Sequence, residues 1–190
     1  MDASVKCALT VVTALALTGG VGGVRAEDGE TRFALSAGVL VPTILNVDGE
    51  MVGAAPGPLV LISFDRPMSG DTPLDWGGFL DVGSFSAGAS DEQVNLMQLG
   101  VSLHWRRPDT WGGVLRLGGR AGYRQLYADA RGFDAVRGVA LDLSAQFVTA
   151  VSRNLKGQLE VGVLAQPFGG NEHGLVYFGP FPYLALGVAL

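Results

Sequence analysis

The sequence predicts an all-β fold, an eight-stranded antiparallel up-and-down transmembrane β-barrel preceded by a cleavable signal peptide. Apolar and polar residues alternate over segments of about ten residues, which is the period of a strand with two different faces. Turn-forming residues separate eight such segments. The polar face is small, as the narrow interior of an eight-stranded barrel requires. Its small members are Gly118, Gly122, Gly162, Gly187, Ala140, Ala185 and Ser144.

The first 26 residues have the layout of a secretory signal peptide. Lys6 precedes an apolar run over residues 7–17, and small residues lead to Ala26. The run is shorter than the ~20 residues of a membrane helix, so an uncleaved anchor is the weaker alternative. We therefore assign residues 1–26 to the signal peptide and residues 27–190 to one outer-membrane β-barrel domain.

Charge and cysteine content exclude several classes of protein. The chain carries 13 lysines and arginines against 18 aspartates and glutamates. Nucleic acid is therefore not an expected partner, because phosphate binding needs a basic surface. The single cysteine, Cys7, lies in the signal peptide, so the mature chain has no cysteine for a disulfide.

The first three strands are predicted at residues 32–41, 57–65 and 76–87. In "RFALSAGVLV" (32–41), apolar residues at odd positions alternate with the small residues Ala34, Ser36 and Gly38. The segments "GPLVLISFD" and "WGGFLDVGSFSA" have the apolar content of strands but a less regular alternation. Between the first and second strands, Asp48-Gly49 is a hairpin signal that favours an extension of both strands beyond the barrel core.

The next three strands are predicted at residues 93–105, 114–127 and 138–147. The first and third of these, "QVNLMQLGVSLHW" and "GVALDLSAQF", alternate apolar with polar or small residues, the first of them from Met97 to Trp105. The middle one, "VLRLGGRAGYRQLY", has arginines every four residues, a spacing that keeps one face of a helix or of a strand. Its three glycines would each cost about 1 kcal/mol in a helix interior, so the strand is favoured.

The last two strands are predicted at residues 155–165 and 183–190, where leucines and valines again occupy alternate positions. The stretch "QPFGGNEHGLVYFGP" between them is rich in glycine and proline, which predicts the longest loop of the chain at 166–180. The other connections are expected near 43–56, 66–75, 88–92, 106–112, 128–136 and 151–154.

The arginines of the fifth strand are expected to point into the barrel, because the opposite face of this strand is apolar. Asp142, Glu160 and Asp81 fall on inward faces and are the expected ionic partners of Arg116, Arg120 and Arg124; Gln98, Gln146 and Gln158 complete this lumen polar network. Two interpretations stay open. The network is either a polar plug that replaces a hydrophobic core or a selectivity ring in an anion-conducting pore, and the narrow lumen favours the plug.

The opposite, apolar face carries aromatic residues near strand ends, as the interface girdles of membrane barrels do. Trp105, Trp111 and Tyr123 are the interface aromatics on this interpretation. We expect no catalytic site. His104 and Ser102 share a face, but no third, orienting carboxylate can be named. His173 and Glu172 lie in the predicted loop 166–180 and are too few for a metal site. No metal or cofactor is therefore expected.

Three stretches carry a resemblance to known proteins: "FALSAGVLVP" after the signal peptide, the turn and strand "VSRNLKGQLEVGV", and the closing "PFPYLALGVAL". In these the chain resembles the small OmpA/OmpX/OmpW-like outer-membrane β-barrel superfamily. The resemblance implies a Gram-negative bacterial outer membrane and contact with its lipid. It also implies that the outer-membrane assembly machinery recognises the C-terminal strand, although members commonly end in an aromatic residue and this chain ends in Leu190.

The expected function is that of an integral outer-membrane β-barrel protein with a structural, adhesion or interaction role. This role would be exerted through the loops at 43–56, 128–136 and 166–180, by a monomer without enzymatic activity. Three alternatives remain: a narrow channel for small solutes, a lipid-acting outer-membrane enzyme, and a soluble periplasmic β-protein with the leucines as its core.

Overall fold

The structure is a computed structural model that describes residues 31–42, 44–47, 49–68, 72–87, 92–108, 112–128, 135–152, 155–172 and 174–190. The predicted signal peptide, Asp48, Trp111 and His173 lie outside the described residues. Within the described ranges, no helix has the length and apolarity of a membrane span.

Ten strands are described, and every pairing between them is antiparallel. They are β1 (Arg32–Leu40), β2 (Ile44–Val47), β3 (Glu50–Ala55), β4 (Gly57–Pro67), β5 (Leu74–Ala87), β6 (Glu92–Pro108), β7 (Gly113–Ala128), β8 (Val136–Ala150), β9 (Lys156–Asn171) and β10 (Gly174–Ala189).

Eight of these strands, β1 and β4 to β10, form a closed barrel. Each pairs with the next along the chain, and β1 pairs with β10 from Ala34 opposite Ala189 to Leu40 opposite Tyr183. Closure leaves no open edge, which satisfies the backbone hydrogen bonds of every barrel strand. The predicted eight-stranded antiparallel barrel is confirmed.

A short hairpin, β2–β3, extends the barrel wall beyond the end of β1 and the start of β4. β2 pairs with β10 through residues 45–47, and β3 pairs with β5 through Ala54 and Ala55. Gly49 at its tip has a φ of 90°, a conformation that favours glycine. The hairpin therefore extends β1 and β4 beyond the barrel core, as the Asp48-Gly49 signal predicted. Pro42 lies between β1 and β2, and Pro56 lies between β3 and β4.

The predicted long loop at 166–180 was wrong. β9 continues to Asn171 and β10 begins at Gly174, so almost all of this stretch is paired strand. The glycines and prolines that predicted a loop lie instead where the β9–β10 register shifts, around Phe178. Such irregularities let strands tolerate residues that regular pairing does not.

The outward face of the barrel is apolar. On β6, Leu99, Val101 and Leu103 are exposed outward, in an apolar run from Met97 to Trp105. This run extends about 27 Å along the strand, and a strand tilt of 35–45° shortens it to about 20 Å, close to the apolar band of membrane barrels. The soluble alternative is therefore wrong, because these leucines face outward.

The two ends of the barrel differ. The terminal end holds residues 31 and 190 and the β4–β5, β6–β7 and β8–β9 connections, and the loop end holds the β2–β3 hairpin and the β5–β6, β7–β8 and β9–β10 connections.

Candidate functional site

The interior of the barrel contains two layers of different chemistry. From the terminal end to the middle, most inward side chains are charged or polar and buried; towards the loop end most are apolar, with Gln166 as a buried polar exception that donates to the carbonyl of Val176. Alternation along each strand explains why these side chains point inward, but the change of chemistry between the two layers occurs within single strands.

Arg120 lies at the centre of the charged layer. Its Nη1 is 3.0 Å from the Asp81 carboxylate, and its Nη2 is 3.6 Å from that of Asp142 and donates to the Tyr183 hydroxyl at 3.1 Å. The guanidinium carbon also stands 4.8 Å from the ring centre of Phe79. One cation therefore holds two buried carboxylates from β5 and β8 across the lumen.

Arg124 and Gln98 complete this central group on the side of the loop end. Arg124 Nη2 is 2.7 Å from Asp142 Oδ1, its Nε donates to Gln98 Oε1, and its Nη1 donates to the carbonyl of Ala165. Gln98 Nε2 donates to both Asp81 at 2.6 Å and Asp142 at 2.8 Å. The amide thus joins the same two carboxylates that Arg120 contacts.

Arg116 forms a second group nearer the terminal end. Its Nη1 is 3.0 Å from Asp65, and its Nη2 is 2.9 Å from Asp75, to which its Nε also donates. The partly exposed Arg106 is 2.8 Å from the other oxygen of Asp75. Gln146 Oε1 accepts from Arg116 at 2.7 Å. This group forms the part of the polar layer that lies nearest the terminal end.

Glu160 is held by hydroxyl and amide donors. The Tyr183 hydroxyl donates to one of its oxygens at 2.7 Å, and Gln158 Nε2 donates to the other at 2.8 Å. Arg32 donates in turn to Gln158 and lies 3.9 Å from Asp65. The structure therefore brings Arg116, Arg120, Arg124, Asp81, Asp142 and Glu160 into one connected interior, with Glu160 linked through Tyr183 instead of through a direct ion pair.

Sequence reasoning missed five members of this interior: Asp65, Asp75, Arg32, Arg106 and Tyr183. Asp75 was placed in the predicted 66–75 connection, which is wrong, because β5 begins at Leu74. Counting back in twos from Asp81 would have put Asp75 on the inward face. Asp65 was not identified because leucines share its inward face on β4. On this strand, polarity alone could not indicate which side chains point inward.

The second layer is an apolar cluster that sequence reasoning did not anticipate, since a polar plug was expected in place of a hydrophobic core. Phe85 and Phe181 meet edge to face at its centre, with ring centres 5.7 Å apart. Every barrel strand contributes to it, with Leu40, Leu59, Phe85, Leu96, Leu126, Val136, Leu164 and Phe181 as one member from each.

Two glycines of β7 allow close packing against β6. A Cβ on Gly122 would stand 2.1 Å from the carbonyl oxygen of Leu99, and one on Gly118 would stand 2.3 Å from the ring of His104. The space they leave admits the β6 backbone and the His104 ring, not the arginine side chains.

The described interior is electrically balanced. Its cations are Arg32, Arg106, Arg116, Arg120 and Arg124, and its carboxylates are Asp65, Asp75, Asp81, Asp142 and Glu160. A selectivity ring needs a fixed charge that attracts the permeant ion. Five cations and five carboxylates in one connected network leave no excess of fixed charge of this kind.

His104 is fully buried, with Nδ1 3.5 Å from Asp65 and Nε2 3.5 Å from the Gln146 amide. Ser102 donates to the same Asp65 carboxylate at 2.9 Å, so the serine and histidine share a partner and do not form a nucleophile–base pair. Among the described residues, no group of three histidines, cysteines, aspartates or glutamates is arranged to hold a metal ion.

The outward aromatics differ between the two ends. Trp105 lies near the terminal end, and Trp76 of the neighbouring strand lies there too, both exposed outward. Tyr123, Tyr127 and Tyr177 are exposed outward in the half nearer the loop end. Such belts mark the two boundaries of the apolar band.

No protein-family model matches the sequence, and no curated protein matches it either. Solved structures do match. Neisserial surface protein A (NspA) superposes with a TM-score of 0.62 at 16% identity, covering 84% of this chain and 95% of that one. The outer membrane protein OprG from Pseudomonas aeruginosa superposes with a TM-score of 0.61 at 8% identity, covering 88% and 98%. The resemblance to small OmpA/OmpX/OmpW-like outer-membrane barrels is confirmed at the level of fold.

Proposed function

We propose that this outer-membrane barrel has a structural, adhesion or interaction role, with an interior closed to solutes and no enzymatic activity. The observation that carries the proposal is the double closure of the lumen: a charge-balanced polar layer lies beneath an apolar cluster to which all eight barrel strands contribute.

The apolar cluster is the stronger of the two barriers. Phe85, Phe181 and Leu126 are at most 2% exposed, so their side chains are packed against neighbours within the bore. A hydrated ion would have to lose its water among side chains that are mostly apolar, which is costly. The narrow channel is therefore the second candidate, and it requires this cluster to open.

The interior also supports a role without catalysis. His104 and Ser102, the pair singled out for a lipid-acting enzyme, are at most 4% exposed and are both engaged with Asp65. A lipid substrate outside the barrel would be separated from them by the barrel wall.

Contact with partners is assigned to three surfaces. Outer-membrane lipid surrounds the apolar band, and the assembly machinery recognises β10, which closes the barrel against β1. The loop end, where Met51 of the β2–β3 hairpin is 77% exposed, carries adhesion or protein interaction. The barrel acts as a monomer, since its eight strands complete their own ring.

Conductance across a planar bilayer tests the closed lumen. The refolded mature chain is expected to show no current steps, whereas Phe85→Ala/Phe181→Ala combined with Arg120→Ala, which opens both layers, should admit ions. Phe168→Ala is the matched control, because that ring is 71% exposed on the outside. Discrete steps from the unaltered chain would refute the proposal in favour of the channel, and a change of ion selectivity in Arg120→Met would then identify the arginines as its ring.

A further inference from the structure

The outward surface of the barrel carries arginines that the interior does not explain. We propose that Arg66, Trp76, Trp105 and Arg107 form a binding patch for the headgroups of anionic phospholipids at the terminal end. This proposal requires the barrel to lie in the outer membrane, but it holds whether or not the lumen is closed.

Charges are segregated between the two faces of the barrel. The carboxylates of the barrel strands whose side chains are described all point inward: Asp65, Asp75, Asp81, Asp142 and Glu160. By contrast, Arg66, Arg107 and Arg137 are exposed on outward faces, and none of them has an ion pair with another described residue. The chain is acidic as a whole, yet these outward arginines have no carboxylate partner among the residues that the structure describes.

Two of these arginines flank the tryptophans on three adjacent strands. Arg66 of β4 is opposite Trp76 of β5, and its guanidinium carbon lies 5.4 Å from the centre of the indole ring. Trp105 of β6 is opposite Leu74, the residue two positions before Trp76. Arg107 follows two residues later and shares the outward face of Trp105. These four side chains therefore form one continuous outward surface.

The position of the patch matches the boundary of the apolar band. Indole rings favour the depth of lipid headgroups, and an arginine beside them can rest its stem on apolar surface while its guanidinium reaches the polar layer. The guanidinium fork matches the geometry of a phosphate, and an arginine stacked on a ring keeps its N–H edge free for such a partner. Unpaired guanidinium at this depth thus favours an anionic headgroup.

The end of the barrel identifies the kind of lipid. Outer-membrane barrels have short turns at the periplasmic end and longer loops at the outer end. The connections at the terminal end are four to six residues long, whereas the β1–β4 connection at the loop end has 16 residues and carries the β2–β3 hairpin. The leaflet on the periplasmic side consists of phospholipids. Towards the loop end, Arg137 of β8 is an isolated outward arginine among the described residues, accompanied by tyrosines and no described tryptophan.

Tryptophan quenching tests the patch locally, because the only tryptophans of the chain are Trp76, Trp105 and Trp111. The full mature chain is refolded into phosphatidylcholine vesicles, and brominated phosphatidylglycerol or brominated phosphatidylcholine is added as the quencher. We expect phosphatidylglycerol to bind beside the tryptophans about fivefold more tightly than phosphatidylcholine, the effect of one arginine on an anionic surface.

Variants assign this preference to the patch. Arg66→Gln/Arg107→Gln should reduce the ratio to about one, and Arg66→Lys/Arg107→Lys should keep most of it because the charge is retained. Arg137→Gln loses the same kind of charge far from Trp76 and should leave the ratio unchanged. An undiminished preference in the glutamine double variant would overturn the proposal. An equal effect of Arg137→Gln would also overturn it, since net charge would then be the cause. The bilayer conductance of the unaltered chain tests the closed lumen separately.

Discussion

Replacing Arg120 by methionine should cost the barrel about 3–5 kcal/mol of unfolding free energy, the usual loss when one partner of a buried ion pair is removed. Arg120 and Asp81 are at most 4% exposed and 3.0 Å apart, so water cannot replace the lost guanidinium. The variant leaves Asp81 and Asp142 close together on one amide of Gln98, with Arg124 as the remaining cation beside them.

The contact of Arg120 with the Phe79 ring adds a smaller amount. A guanidinium over an aromatic face contributes about 0.5–2 kcal/mol, part of which the methionine side chain recovers by packing. Arg137→Met is the matched control, because Arg137 is exposed outward, lies outside the proposed lipid patch and has no ion pair among the described residues. Its loss should change the unfolding free energy by less than about 1 kcal/mol.

The assay is urea unfolding of the refolded barrel in vesicles, followed by tryptophan fluorescence and extrapolated linearly to zero urea. The double variant Arg120→Met/Asp81→Asn removes both charges and should recover at least about half of the loss, since no unpaired carboxylate remains. If Arg120→Met fails to refold, refolding of the double variant would still show that the unpaired Asp81 carboxylate destabilises the single variant. An Arg120→Met variant as stable as Arg137→Met would show that the interior ion pair contributes nothing, and would refute the reasoning.

Two further outcomes follow from the closed barrel. In SDS electrophoresis, the refolded mature chain should migrate differently before and after boiling, because a closed ladder resists the detergent until heated; identical mobility would contradict the barrel. Gly122→Ala should destabilise the barrel by about 1–3 kcal/mol, the usual cost of overpacking, since its Cβ would stand 2.1 Å from the Leu99 carbonyl oxygen. Gly53→Ala, where a Cβ meets no atom within 4 Å, is the control in the same urea assay, and equal losses would disprove the close approach.

The inward direction of the β7 arginines could be predicted because alternation along a strand is a local property. Arg116, Arg120 and Arg124 share one parity, and the leucines beside them share the other. The interior face could be chosen from the small size of the polar face, since a barrel of eight strands has little room, and from the aromatic residues on the apolar face. The same reasoning predicted the eight strands and their antiparallel order.

Local periodicity could not predict the partners of these arginines. Arg116 binds Asp75 and Asp65, which lie 41 and 51 residues away on strands across the lumen. Such contacts depend on the stagger between strands around a closed barrel, and stagger is a property of the complete ring. For the same reason, sequence reasoning identified Glu160 as a member of the network but not its connection through Tyr183.

The sequence by itself determined that this chain is a barrel with arginines inside and leucines outside, because both follow from a period of two and from side-chain size. Only the tertiary structure decided that leucines and phenylalanines also fill the interior near the loop end. Leu59 and Phe85 are as apolar as the residues that face lipid, so composition cannot separate them. Closure of the ring brings them together inside the barrel, where burial against each other replaces burial in the membrane.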